Sequence, residues 1–291
     1  MKAYRTPEGE VQLFRPQKNM RRMNHSNARL CIPHFDEAFV LEAIKQLVEL
    51  EKDWVPEAEG TSLYIRPFII STEPYLGVAS SQRYQFYVIM SPVGTYYKEG
   101  LDPVGILVEN EYVRAVAGGT GEAKTGGNYA ASLKAQVIAE QQGYSQVLWL
   151  DGVQKEFIEE VGSMNVFFKI NGEVITPVLN GSILSGVTRD SVIALLKYWD
   201  QPVVERKISM QELYEAQLAG LLEEAFGTGT AAVISPIGRF SWKNQEFTVN
   251  GGKTGPVAKR LYDTLTGIQY GKIEDTLGWI EKVGEKENVR V

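Results

Sequence analysis

Cysteine, histidine and long apolar runs are scarce in this sequence of 291 residues. Its single cysteine, Cys31, excludes an intrachain disulfide, and two histidines without a second cysteine exclude a Cys/His zinc framework, so no metal site is expected. His25 lies among Asn24, Ser26 and Asn27, and His34 follows Pro33; both positions read as surface or structural rather than catalytic. A Ser-His-Asp hydrolase finds no support, because no GxSxG elbow is present. No apolar run approaches the roughly 18 residues that suggest a membrane span, and MKAYRTPEGE carries no hydrophobic signal segment. A membrane partner is therefore not expected, and the cytoplasm is the expected location. Positive charge is also short, with 30 Lys and Arg against 36 Asp and Glu and a net charge of -6, which gives no electrostatic reason for a nucleic-acid partner.

A hydrophobic content of 44% can bury a sizeable core in one large domain or two ordinary ones. The run VQLFRP (11–16) reads as a strand. After it, DEAFVLEAIKQLVELEK reads as an amphipathic helix with Asp36 as N-cap and Val40, Leu41, Ile44, Leu47 and Val48 as its buried stripe. SLYIRPFII and YQFYVIMSPV are β-rich runs separated by the turn-prone STEPYLGVASSQR. Together these segments predict a small α+β domain over 1–97. The polar stretch around YYKEGLDP places a linker over 98–112, and a large domain follows over 113–291.

In that second half, ILVENEYVRAV has strand character and leads into AGGTGEAKTGGNYAASL. A helix is expected over 130–142, ending at Gly143, followed by the strand SQVLWLD. VFFKI and EVITP flank Asn171-Gly172, a strong hairpin signal because Asn-Gly adopts the positive φ angles of a type I′ turn. Ser209 and Glu212 have capping-box spacing. AFGTGTAAVISPIG reads as a Gly-rich turn entering a strand, and GPVAKRLYDTLTGI as a final helix.

Four places could carry chemistry. GGTGEAKT imitates a P-loop but has Ala123 where glycine is needed, and Gly126 and Gly127 oppose a helix starting at once. The alternative for Lys124 is covalent, since a desolvated amine forms imines with carbonyl groups; a lone loop lysine is otherwise an ordinary solvated residue. Gly186, Val187 and Thr188 open a predicted helix, and FGTGTAA offers a second Gly-rich turn with Thr230, so either could receive a phosphate. Glu159 and Glu160 enter a strand where alternation places them on opposite faces. One can point inward, where a carboxylate can hold a pyridine nitrogen protonated, while the other is solvated; the alternative reading is that both are surface charges flanking a turn.

AKTGGNY, EEVGSMNVFF, LNGSILSGVTR, FGTGTAAVISP and TGIQYG, in this order and spacing, resemble the branched-chain amino acid aminotransferases of pyridoxal phosphate (PLP) fold type IV. Single motifs are shared with D-amino acid aminotransferases and aminodeoxychorismate lyases. RPQKNMRRMNHSNARLCIP, DWVPEAEGTSLYIRPFI and EPYLGV are similar to the branched-chain members in particular. The resemblance implies an α+β chain with a small N-terminal α/β domain and a larger, β-barrel-like C-terminal α/β domain that binds pyridoxal 5'-phosphate.

It also implies residue roles. Lys124 would form the Schiff base and shuttle the α-proton, Glu160 would pair with the pyridine nitrogen, and Tyr129 would bond the ring's phenolic oxygen. Arg22, the backbone of Val187 and Thr188, and Thr230 would hold the phosphate, with Leu184 against the ring. Tyr64 and Arg66 would line the substrate pocket, with Arg66 tolerating a substrate carboxylate. Ala231 and Ala232 would present backbone donors to the α-carboxylate, and Leu76 and Val78 would reach the neighbouring subunit of a homodimer. The implied reaction moves an amino group from L-leucine, L-isoleucine or L-valine to 2-oxoglutarate, yielding L-glutamate. Alternatives are a D-amino acid aminotransferase, an aminodeoxychorismate lyase-like enzyme, or a truncated and catalytically impaired remnant. The last arises because a segment resembling MKAYR is internal in the family, preceded by residues that build early strands; a chain starting there is expected to expose a sheet edge.

Overall fold

Backbone contacts divide the chain into two compact units, one of Met1–Thr95 with Thr264–Val291 and the other of Tyr96–Asp263. The computed structural model describes residues 1–94 and 101–284. In chain order the first stretch holds β1 (Lys2–Arg5), β2 (Val11–Phe14), α1 (Pro16–Arg29), α2 (Glu37–Leu50), β3 (Ser62–Ser71) and β4 (Tyr84–Val93). The second holds β5 (Val104–Val108), α3 (Gly126–Gln141), β6 (Gln146–Leu150), β7 (Ile158–Val161), β8 (Met164–Ile170), β9 (Glu173–Thr176), α4 (Val187–Tyr198) and β10 (Val203–Glu205). There follow α5 (Met210–Leu218), β11 (Leu222–Gly229), β12 (Val233–Trp242), β13 (Gln245–Thr248), α6 (Pro256–Gln269) and β14 (Ile280–Lys282).

The first unit is an antiparallel sheet in the order β14-β2-β1-β3-β4. Asp36 caps α2 as expected, its Oδ1 accepting from the backbone of Ala38 and Phe39 at 3.0 Å each. Leu41, Ile44 and Val48 are buried, while Val40 and Leu47 sit half-buried at the margin of the stripe. Helix α1 has no counterpart in the sequence reading. Apart from Pro16, it buries Met20 with the polar Asn24, Ser26 and Asn27, so no apolar period announces it. Asn24 repays its burial by donating to the Phe35 carbonyl at 2.9 Å and accepting the Phe35 N–H at 3.1 Å.

In the second unit the strands β8-β11-β12-β5-β6-β7 follow one another, and β7 pairs back onto β8, closing a six-membered ring. β9 and β10 extend it beyond β8, and β13 pairs with β12. Alternation explains the layering on β6: Leu148 and Leu150 join the ring's main core, while Val147 and Trp149 pack on Ala135 and Ala139 of α3. The Asn171-Gly172 turn joins β8 to β9 with φ of 48° and 82°, as its sequence predicts. Ser209 accepts the Glu212 N–H at 3.0 Å, but the Glu212 carboxylate turns to Arg206 at 2.6 Å, so only half of the capping box forms.

The domain limits run differently from the expected ones. Val104–Val108, read as linker, is a strand inside the second unit's sheet; residues 98–100 of that linker lie outside the described residues. The chain from Thr264 onward belongs to the first unit, the division falling inside α6. Strand character ends at Val108, and EYVRAV runs as irregular chain.

Candidate active site

Lys124 stands at the end of a series of turns, directly before α3. Contrary to the expectation from Gly126 and Gly127, the helix begins at Gly126, with Thr125 as its N-cap. Asn128 offsets the cost of the two glycines. Buried, it donates to the carbonyls of Thr120 at 2.8 Å and Ala123 at 2.7 Å and accepts from Thr120 Oγ1 at 2.9 Å, tying the turns to the helix's first residues. Lys124 itself is exposed, not desolvated as expected, and its Nζ donates to Tyr129 Oη at 2.7 Å. Ala123 beside it is buried, so the loop is anchored on one side and presents the amine on the other.

The paired carboxylates also differ from expectation. Both are buried, Glu159 at 3% and Glu160 at 4% exposure, so neither is solvated. Glu160 stands opposite Asn165 across the β7–β8 hairpin, whose turn is Gly162-Ser163. Its Oε1 accepts the Leu184 N–H at 2.9 Å and lies 3.5 Å from Asn165 Nδ2, while Oε2 lies 3.4 Å from Arg114 Nε. Glu159 takes the Ser182 hydroxyl and, at 3.1 Å, Asn180 Nδ2. Burial pushes the Glu160 carboxyl up to about 7, against the opposing pull of the Arg114 guanidinium, the Leu184 N–H and Lys124, with Glu159 adding to the rise. Lys124, Tyr129, Glu160 and Leu184 line one pocket, together with Arg114 and Asn128.

The two expected phosphate sites belong to the same unit. Gly186 is the N-cap of α4, in extended conformation and without a side-chain cap, so no capping side chain takes the first N–H groups of the helix. A Cβ at Gly186 would come within 2.1 Å of Asn165 Oδ1, which fixes the helix start close to the residue facing Glu160. FGTG is not a turn: Gly227, Thr228 and Gly229 lie in β11, where Thr228 pairs with Asn165, and the turn is 230–232. Thr230, Ala231 and Ala232 form it, with Ala232 buried.

Arg22, Tyr64, Arg66, Leu76 and Val78 belong to the other unit. Arg22 is half-buried on α1, 3.4 Å from Asn19 Oδ1. Tyr64 and Arg66 share one face of β3, the guanidinium 5.2 Å from the ring centre. Leu76 and Val78 are fully exposed in the loop between β3 and β4. Arg114, Asn128, Asn165 and Ser182 escaped the sequence reading. Asn165 carried a usable signal, since it faces Glu160 across a Gly-Ser turn; Arg114, in EYVRAV, carried none.

Residues 1–240 match the model of the amino-transferase class IV family. The chain is 64% identical over 283 residues to branched-chain-amino-acid aminotransferase 2 of Bacillus subtilis, covering 97% of this chain and 78% of that one. The chain belongs to the branched-chain amino acid aminotransferases. Branched-chain-amino-acid transaminase 1 of the same organism is 56% identical, covering 97% and 80%. Among solved structures, the Escherichia coli branched-chain amino acid aminotransferase superposes with a TM-score of 0.81 at 29% identity, covering 97% of this chain and 88% of that one. The corresponding T.th. enzyme, solved with pyridoxamine 5'-phosphate, reaches 0.82 at 28% identity, covering 97% and 87%.

Membership makes this a PLP-dependent transaminase of fold type IV, acting on amino and oxo acids. The closed ring of the second unit is the barrel-like sheet expected of that fold. Among the described residues, no helix is long and apolar enough to cross a membrane, and no group of three or more His, Cys, Asp and Glu side chains is arranged to hold a metal ion.

Proposed function

We propose that the enzyme transfers the amino group between L-leucine, L-isoleucine or L-valine and 2-oxoglutarate, forming L-glutamate, with Lys124 as the amine that binds the cofactor's aldehyde. The observation that carries this reading is that Lys124, Tyr129, Glu160 and Leu184, from three separate segments, line one pocket. Bound pyridoxal 5'-phosphate supplies an aldehyde that captures amines and a ring that takes up the electrons released at the α-carbon. The donor set fits that group: an exposed lysine, a phenol beside its amine, a buried carboxylate and a helix N-terminus without a side-chain cap.

In this reading Lys124 Nζ removes and returns the α-proton, and Tyr129 orients that amine and hydrogen-bonds the ring's phenolic oxygen. Glu160 holds a proton on the ring nitrogen. The N–H groups of Val187 and Thr188, the Thr230 hydroxyl and Arg22 hold the phosphate, and Leu184 packs on the ring. Ala231 and Ala232 donate backbone N–H groups to the substrate's α-carboxylate, Tyr64 lines the side-chain pocket, and Arg66 receives the second carboxylate of 2-oxoglutarate.

The proposed assembly is a homodimer in which Leu76 and Val78 reach the partner's pocket. Its support is their complete exposure, together with that of Tyr75 on the same loop, since apolar side chains so presented mark a contact surface.

The test is the visible absorbance of purified protein after incubation with PLP, before and after L-leucine, with Lys124→Ala in parallel. A cofactor band that L-leucine shifts, and a variant without turnover, support the reading. A wild-type protein that folds but never acquires the band overturns it.

A further inference from the structure

Glu160 poses a problem that its own position does not solve. A carboxylate with 4% exposure is driven toward its neutral form, because burial penalises charge. Neutral, it could not hold a proton on a pyridine nitrogen. The groups around it come from several elements: Glu159 on the same strand opposes its ionisation, while the Leu184 N–H, Lys124 and Arg114 favour it. Arg114 ranks first among the favourable ones.

The geometry at Arg114 is that of a fixed cation. Its side chain is 6% exposed, Nε lies 3.4 Å from Glu160 Oε2, and Nη2 donates to the Ser182 carbonyl. Ser182 is held in turn, its hydroxyl bonded to Glu159 and its N–H donating to Asn180 Oδ1 at 3.1 Å. The backbone there is packed tightly: a Cβ at Gly121 would come within 2.2 Å of the Ser182 carbonyl oxygen. The guanidinium therefore cannot drift away from Glu160 without giving up a buried carbonyl. At 3.4 Å, Nε makes no hydrogen bond with Glu160, and its effect on the carboxylate is that of a charge.

We propose that Arg114 is a positioning residue that keeps the Glu160 carboxylate ionised and aimed into the pocket, so that the cofactor's ring nitrogen stays protonated. The inference rests on the reading of Glu160 as the partner of that nitrogen. Arginine suits the task because it remains charged when buried, whereas a buried lysine can lose its proton. Glu159 and Ser182 act one step further out, holding the carbonyl that holds Arg114.

The experiment titrates the carboxyl infrared band of Glu160, identified as the band missing from Glu160→Gln, in cofactor-free protein. Wild type is compared with Arg114→Met, Arg114→Gln and Arg114→Lys. The glutamine keeps a neutral polar group on a side chain of similar trunk and carries the test where the methionine variant does not fold. The expected wild-type midpoint is near pH 7. The neutral variants are expected to raise it by at least about one pH unit, tenfold in the ionisation constant, and lysine to restore at least about half of that shift. In protein loaded with PLP labelled at the ring nitrogen, nitrogen NMR is expected to show the proton kept in wild type and lost in the neutral variants.

A midpoint that stays with wild type in the neutral variants overturns the proposal. So does a lysine variant whose side-chain ammonium nitrogen NMR finds charged and which still titrates like the neutral ones, since charge is then not the cause. If Glu160→Gln leaves the ring nitrogen protonated, the underlying reading of Glu160 fails, an outcome distinct from any result of the cofactor-free titration.

Discussion

The amine of Lys124 lies 2.7 Å from the phenolic oxygen of Tyr129, five residues further along the chain. The pair spans the start of α3: the lysine leaves the last turn of the preceding loop, and the tyrosine sits in the helix's first turn. Because the helix begins at Gly126, the two groups meet across five residues of chain. Local backbone geometry sets the orientation of the amine.

Tyr129→Phe removes the phenol that accepts from the Lys124 amine and leaves buried packing intact, Tyr129 being 41% exposed. The expected result is a fall in kcat of roughly tenfold, the worth of about one hydrogen bond, with an unchanged thermal midpoint. Steady-state kinetics beside a melting curve check it; a melting midpoint that falls with kcat counts against an orienting role.

Asn128→Ala takes from the carbonyls of Thr120 and Ala123 their side-chain donor, leaving each with one backbone N–H, and removes the acceptor of the Thr120 hydroxyl. The expected cost is about 2–3 kcal/mol in unfolding free energy. Faster amide exchange is expected over residues 120–125 than over β8. Denaturant titration and hydrogen exchange read the two effects separately.

For the cofactor-free enzyme, Glu160 predicts a pH dependence of stability. Its folded value, about 7, is raised above that of an unfolded glutamate. The favourable contribution is therefore complete below the unfolded value and is lost as pH rises to about 7. Relative to Glu160→Gln, wild type should lose at most about 3 kcal/mol between about pH 4.3 and pH 7.5, and nothing further above. Urea titrations at several pH values check this, and parallel curves for the two proteins contradict it.

Lys2 gives the opposite sign. Burial lowers its pKa to about 8, below the ordinary lysine value, so stability falls as pH drops from about 10.4 toward 8 and then levels. Lys2→Met is expected to raise the stability by up to about 3 kcal/mol at neutral pH, the gain fading as pH approaches about 10. Melting curves at neutral and alkaline pH decide it.

Gly186→Ala tests the helix start. The new Cβ would press on Asn165 Oδ1 at 2.1 Å, and the asparagine can yield only by loosening its bonds to the Leu184 carbonyl and Glu160. An affinity for PLP lowered by about tenfold, with α4 intact by circular dichroism, is the expected outcome of disturbing both anchors at once.

Elements whose signal lies in a few adjacent residues were legible. Asp36 caps α2, Asn171-Gly172 turns β8 into β9, and Gly143 follows the end of α3. Helix α1 was hidden because asparagines that bond to the chain after it take the place of an apolar stripe. The early start of α3 was hidden because glycine propensity is a local quantity, and Asn128 overrides it with three bonds to the turns before it. Alternation separated Glu159 from Glu160 but could not tell that both faces of β7 are covered. That is decided by Asn180, Ser182 and Leu184, some twenty residues further on.

The sequence by itself determined the family, since five motifs in order over most of the chain need no coordinates to be read, and it singled out Lys124, Tyr129, Glu160 and the opening of α4. Only the tertiary structure decided that the first three share a pocket, that β7 closes a ring onto β8, and that Arg114 stands beside Glu160. The physical reason is range. Caps, turns and motif spacings act across a few residues, whereas the state of a buried charge depends on whatever the fold brings within a few ångströms, and Arg114 reaches Glu160 from 46 positions away in the chain.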